Sequence, residues 1–215
     1  IAGPTAARTL AELGASVHRV ENPHFTAPWV EPFHIAYNAG KTSETINLKA
    51  TRGQRALSEL LDSFSPDVLV QNYRPGAPSK LDLDEETLRA RFPSLVYAHL
   101  TAYGTRGPWG DRPGWEQTAQ AACGMQRAWG GAGAPSLFPL PLNDLCTGVH
   151  GALGVLLAIY ARNEDGRGRR VEAALTSSAT LMQARTLFDR EPGARGSSEL
   201  GAAPTRRFYM ARDGW

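Results

Sequence analysis

Asp144 puts a single carboxylate where a long apolar helix begins, a place whose electrostatics act on its charge. Such an end offers unpaired N–H groups and the positive pole of the peptide dipole, which keep a carboxylate ionised. Asp is also a favoured N-cap, and on type and position alone that structural role is the commoner one. Glu116, beside Trp115, is a second carboxylate able to orient a substrate or take part in acid–base work. Asn72, Tyr73 and Arg74 close an apolar run, and Ile46-Asn47-Leu48-Lys49 forms another mixed polar segment. Lys41, Lys49, Arg74 and Lys80 could together meet phosphates, although a single Lys or Arg is equally a solvated surface charge. Ala2-Gly3-Pro4 opens a helix whose N–H groups could cradle a phosphate; Pro at a first helical position is just as much an ordinary helix start.

These residues need a scaffold, and the periodicity supplies one. Helical patterns at residues 4–13, 50–64, 84–92, 116–125, 144–161 and 177–189 alternate with strand patterns at 16–21, 44–48, 67–71, 95–100 and 171–175. In helix 50–64, Leu57, Leu60, Leu61 and Phe64 recur at helical spacing; in helix 144–161, Val149, Ala152, Leu156 and Ile159 share a face. Residues 22–38 and 104–114 read as loops, and 163–168 as a turn. The alternation predicts an α/β fold, Rossmann-like, with a mostly parallel sheet and helices on both faces. Ligands bind at the carboxyl edge of such sheets, and most of the polar candidates fall there. The Gly/Ala/Ser-rich stretch 190–204 predicts a boundary near Asp189. That gives a catalytic domain over 1–189 and, over 190–215, a linker with the start of a second domain.

The 215 residues are 42% hydrophobic and 20% charged, enough for one globular core. With 23 basic and 21 acidic residues the net charge is +2, so no broad basic face for nucleic acid is expected. Cys123 and Cys146 stand far apart and the five histidines lack ligand spacing, so neither a disulfide framework nor a metal site is expected, and a reducing cytoplasm is. No run of apolar residues approaches the ~20 that cross a bilayer. No Gly-X-Gly-X-X-Gly follows a strand, so the dinucleotide fingerprint is absent. Ile1-Ala2-Gly3-Pro4 and Asp213-Gly214-Trp215 both read as interior sequence, which predicts a piece of a longer protein.

A series of short segments gives the sequence a family likeness. In order they are Ala2-Gly3-Pro4; Leu13-Gly14-Ala15-Ser16-Val17 running to Val20-Glu21; Asn38-Ala39-Gly40-Lys41; Ile46-Asn47-Leu48-Lys49; Gln71-Asn72-Tyr73-Arg74-Pro75-Gly76; Tyr103-Gly104 with Gly107-Pro108; Asp111-Arg112-Pro113-Gly114; Ala119-Gln120; Asp144 with Thr147-Gly148; and Gly166-Arg167-Gly168. In this succession the chain resembles the class III CoA-transferase family, which includes formyl-CoA and carnitine CoA-transferases and α-methylacyl-CoA racemases. The resemblance implies that Asp144 is the nucleophile, forming an anhydride and then an aspartyl-CoA thioester. It implies coenzyme A contacts at Ala2, Ile46, Leu48, Lys49, Asn72, Tyr73, Arg74 and Lys80, where Lys80 replaces a usual arginine, and substrate contacts at Trp115 and Glu116. It implies acyl-CoA and a small carboxylic acid as substrates, no permanently bound cofactor, and a homodimer of interlocked chains. Compared with the family, the strand before Ala2, the smaller C-terminal domain and part of the loop between Glu21 and Lys41 are missing, and Asn22 stands where an arginine is common.

Two other activities fit the same resemblance. Racemases of the family carry a histidine where this chain has Trp115, and an indole cannot move an α-proton, which argues against racemisation. A non-catalytic half of a paired protein, binding coenzyme A or only dimerising, is the other; retention of Asp144 argues against it.

Overall fold

The structure, a computed structural model, describes residues 1–23, 31–131, 133–184, 201–203, 206–207, 209 and 211–213. In chain order the elements are α1 (Ala2–Glu12), β1 (His18–Glu21), α2 (Glu31–Asn38), β2 (Thr42–Thr45), α3 (Thr51–Phe64), β3 (Val68–Gln71), α4 (Glu85–Arg91), β4 (Val96–Thr101), α5 (Glu116–Ala122), α6 (Met125–Gly130), α7 (Leu142–Asp165), β5 (Arg170–Ala174), α8 (Leu175–Met182), β6 (Gly201–Ala203) and β7 (Arg206–Arg207). A 3-10 turn, Pro78–Leu81, precedes α4.

Strands β3, β4 and β5 form a parallel sheet in that order, with Val68 opposite Val96 and Tyr97 opposite Arg170. Parallel neighbours need crossovers, which α4 and the α5–α7 segment provide. A second parallel pair joins β1 to β2, with His18 opposite Thr42. Every residue of β4 is buried, because helices cover both its faces. On one side Val96, Ala98 and Leu100 meet Ala2, Ala6 and Leu10 of α1 and Ala152, Val155 and Ala158 of α7. On the other, Tyr97 joins Leu57 of α3 and Leu88 of α4. This is the expected α/β architecture with parallel strands between helix layers.

Helix α7 is the central support. It ends at Gly166, whose φ of +70° closes the helix in the left-handed region that glycine adopts freely. It crosses α1 at Gly148, where an added Cβ would lie 2.5 Å from the Cβ of Thr5. By length and composition Leu142–Asp165 could cross a membrane, which corrects the expectation that no segment could; in this fold it packs on α1, β4, β5 and α8.

Several boundaries differ from expectation. Residues 31–38, read as loop, form α2, where Phe33 and Tyr37 stack one turn apart. The strand expected at 44–48 is β2 at Thr42–Thr45, entirely exposed; pairing with β1 selected the polar Thr/Ser run, and Ile46 turned into the core. Helix 116–125 is broken at Gly124 into α5 and α6. The turn at 163–168 begins three residues late because α7 continues to Asp165. On α7 the buried stripe is Ala152, Val155 and Ala158, whereas Val149 and Leu156 are exposed. Of the helix expected at 177–189, residues 177–182 lie in α8, which starts two residues earlier at Leu175; residues 185–189 and the boundary near Asp189 lie outside the described residues. Residues 201–203, within the expected linker, are strand β6, paired antiparallel with β7.

The α1–α7 contact yields a stability test. Gly148→Val forces side-chain atoms into Thr5, an overpacking cost of roughly 1–3 kcal/mol. Thermal unfolding should show a lower Tm for Gly148→Val, whereas Glu164→Ala, exposed on the same helix, should change it little.

Candidate active site

The site begins with a helix start made by another helix. No side chain of its own caps α7. Instead the Glu116 carboxylate, only 6% exposed, reaches from the first turn of α5 and accepts the N–H of Asn143 at 3.3 Å and of Asp144 at 2.8 Å. Two donors that the helix leaves unpaired are thereby satisfied, and the dipole favours the negative charge beside them. One turn on, Gln120 donates to Glu116 at 2.9 Å, donates to the carbonyl of Phe138 and accepts from its N–H. Helix α5 thus fixes both the approach to α7 and its first turn. This moves the start of α7 to Leu142 and puts Asp144 inside the first turn, correcting the expected start at residue 144.

Asp144 is partly exposed and lines a cleft of about 1880 Å³. Burial pushes its carboxyl above the usual carboxylate range; the charge of Glu116 adds to the shift, and the N–H of Ala2 opposes it. The dipole expected to keep this group ionised is therefore outweighed by desolvation. The start of α1 thus offers the N–H of Ala2 to Asp144, while the N–H groups of the first turn of α7 go to Glu116. Tyr37 of α2 lines the same cleft, its phenol raised by burial and then by the charge of Asp144. Sequence reasoning missed Tyr37 because its segment read as loop; the Phe33/Tyr37 spacing was the available signal.

Asn72, Tyr73 and Arg74 follow β3 at the carboxyl edge of the sheet and line the cleft with Ala2, Gly3, Trp115 and Glu116. Asn72 packs against the start of α1: a Cβ added at Gly3 would sit 3.0 Å from its Oδ1. The Arg74 guanidinium lies 5.8 Å from the centre of the Trp115 ring, which is 58% exposed. Leu48 also lines the cleft.

Other expected residues are not brought together there. Ile46 is buried in the core, and Lys49 and Lys80 are exposed, none of the three lining the cleft. Lys41 lines it, yet its ammonium donates to the carbonyls of Pro4 and Tyr37 at 2.8 Å each and to Asn38 Oδ1 at 3.0 Å. It ties the end of α2 to the start of α1, and burial, with Arg19 and Arg8 nearby, pulls its pKa down to about 8. The cleft also takes in a set of apolar side chains, among them Leu10, Leu57, Leu60, Val155 and Ile159. Among the described residues no cluster of three or more His, Cys, Asp or Glu could hold a metal ion.

The chain is a parallel α/β fold with a half-buried carboxylate where two helices begin, beside a cleft. The comparisons place it more closely. The description CoA-transferase family III matches residues 1–215, and the chain belongs to that family. It is 35% identical over 200 residues to a probable fatty acyl-CoA transferase of Mycobacterium tuberculosis, covering 87% of this chain and 50% of that protein. It is 33% identical over 204 residues to a formyl-CoA:oxalate CoA-transferase of Streptomyces avermitilis, covering 90% and 49%. The crystal structure of a CAIB/BAIF family protein from Brucella suis superposes with a TM-score of 0.86 at 26% identity, over 100% of this chain and 61% of that one. The chain spans about half the length of the curated relatives it matches.

Two measurements probe the carboxylates. Because the Asp144 pKa is raised by folding, its contribution to stability is present below the ordinary carboxylate range and is lost as pH rises through the raised value. Asp144→Asn should therefore raise Tm relative to the unaltered protein at about pH 7, with the gain shrinking toward about pH 3; a gain independent of pH contradicts this assignment. Glu116→Gln sets an amide donor against one of the two N–H groups its carboxylate now accepts. Urea titration should show a loss of roughly 1–3 kcal/mol.

Proposed function

We propose that this protein transfers coenzyme A from an acyl-CoA to a small carboxylic acid through a covalent intermediate on Asp144. The observation that carries the reading is the Asp144 carboxylate itself, carried on the first turn of α7, met by the N–H of Ala2 and lining a cleft with Asn72, Tyr73 and Arg74. Family membership and the names of the relatives support the same chemistry.

In the proposed sequence the carboxylate attacks the thioester carbonyl, the C–S bond breaks and CoA leaves as thiolate, giving an aspartyl–acyl anhydride. The thiolate attacks the aspartyl carbonyl, releasing the first acid and forming an aspartyl-CoA thioester. The incoming carboxylate displaces CoA to form a second anhydride, and the thiolate then takes its acyl group, restoring Asp144. Desolvation makes the carboxylate a stronger nucleophile once ionised.

Ala2, Asn72, Tyr73 and Arg74 are the proposed contacts to the CoA chain and Trp115 a wall of the acyl site. Both oxygens of Glu116 are taken by α7 and Gln120, so its proposed part is to hold Asp144 in place. We keep the homodimer within the proposal: Val149, Leu153, Leu156, Leu157 and Tyr160 leave an apolar stripe of α7 exposed.

Trapping tests the covalent step. Incubation with an acyl-CoA and hydroxylamine should convert Asp144 to a hydroxamate, seen as a mass change on the peptide that contains it. Asp144→Ala should show neither the adduct nor CoA exchange into free acids. Equal exchange by both proteins would falsify the proposal.

A further inference from the structure

Beneath the 72–74 segment lies a buried polar cluster that the chemistry above does not use. Gln71, Tyr97 and His99 are 5%, 2% and 5% exposed, on a sheet face otherwise packed with Leu57, Leu83, Leu88 and Leu95. Gln71 and His99 are register partners on β3 and β4, and Tyr97 lies two residues before His99, so all three share that face. Buried polar groups on an apolar face weaken a fold unless each is paired, and leucines would fill this space at lower cost. Here each is paired, and the pairs lead to backbone outside the sheet.

Tyr73 lies past the end of β3. Its N–H donates to Gln71 Oε1 at 2.7 Å, and its carbonyl is 3.0 Å from His99 Nε2. A carbonyl can only accept, so Nε2 carries the proton, and burial, which pulls the His99 pKa down, keeps the ring neutral. Gln71 Nε2 donates to the Tyr97 hydroxyl at 3.1 Å, and that hydroxyl donates to the carbonyl of Leu83 at 2.9 Å. Leu83 follows the 3-10 turn that carries Lys80, and its own N–H donates to the carbonyl of Pro78 within that turn. One network therefore grips both backbone groups of Tyr73 at one end and the 78–83 segment at the other.

We infer that Gln71, Tyr97 and His99 are positioning residues for coenzyme A recognition, fixing the backbone of residues 72–74, which line the cleft, before the ligand arrives. The inference rests on the proposed function. Preorganisation raises affinity by removing the ordering cost that a loose segment incurs on binding, and it leaves the reacting carboxylate untouched. The network should therefore act on the binding of the nucleotide-bearing thioester and not on the chemical step.

The test compares Tyr97→Phe, His99→Leu and His99→Gln in the intact protein; Tyr97→Phe keeps the ring and removes only the hydroxyl. Kinetics are measured with an acyl-CoA and with the same acyl group on N-acetylcysteamine, a thioester without the nucleotide, alongside CoA binding by calorimetry and Tm by thermal unfolding. Tyr97→Phe and His99→Leu should each raise KM for acyl-CoA and Kd for CoA roughly threefold to tenfold, the worth of one hydrogen bond, with kcat nearly unchanged. KM for the short thioester should stay constant, and His99→Gln, which returns an N–H donor at similar reach, should recover most of the affinity. Unchanged Kd in Tyr97→Phe and His99→Leu, equal losses with both thioesters, or a His99→Gln as impaired as His99→Leu each overturn the positioning role. If the unaltered protein does not bind CoA at all, the proposed function fails and this inference with it.

Discussion

The arrangement turns on keeping one carboxylate partly out of water at the start of α7. An unpaired ionised carboxylate in protein interior costs several kcal/mol, and a second carboxylate close by adds to that cost. Asp144 has both difficulties, with burial and the Glu116 charge pushing its pKa the same way. The start of α1 works against them by bringing the N–H of Ala2 to Asp144, which itself lies in the first turn of α7. Both helices must be held in place. Gly148 allows α1 to lie against α7, and Glu116 and Gln120 anchor the first turn of α7 on α5. The like charge of Glu116 is thus tolerated because the same carboxylate satisfies the backbone that positions Asp144.

The parts legible in the sequence were those fixed by local pattern. The apolar runs of β3 and β4 and the spacing of Leu57, Leu60 and Leu61 in α3 declare their elements without tertiary context. Asp144 was legible as a carboxylate at a helix start. Its partner was not, since Glu116 lies 28 residues earlier in the chain and meets it only across the α5–α7 contact. Helix α2 was hidden by its Pro and aromatic content, which is shared with loops, and β2 by having no apolar alternation. Its place is set by an edge to pair with, which no local signal reports. Lys41 was legible as a cation and illegible as a tie between helices, because the carbonyls it meets belong to α1 and α2.

The fate of the four expected phosphate-facing cations bears on how this cleft would recognise a ligand. Lys49 and Lys80 stand outside it, Lys41 is bound to three oxygens, and Arg74 lies over the Trp115 ring. A phosphate seated beside Arg74 would share that guanidinium with an indole, which strengthens the stack by holding the planar cation in a fixed orientation. The remaining recognition would come from backbone N–H groups at the start of α1, from the amide of Asn72 and from aromatic surface. These are groups whose value depends on placement more than on charge, since a neutral donor a fraction of an ångström out of line contributes little. A cleft built this way needs its rim fixed in advance, and the rim here is held from beneath by side chains of the sheet. The carboxyl edge of the parallel sheet thus supplies two things together: helix starts that hold a carboxylate, and strand ends rigid enough to aim the groups around it.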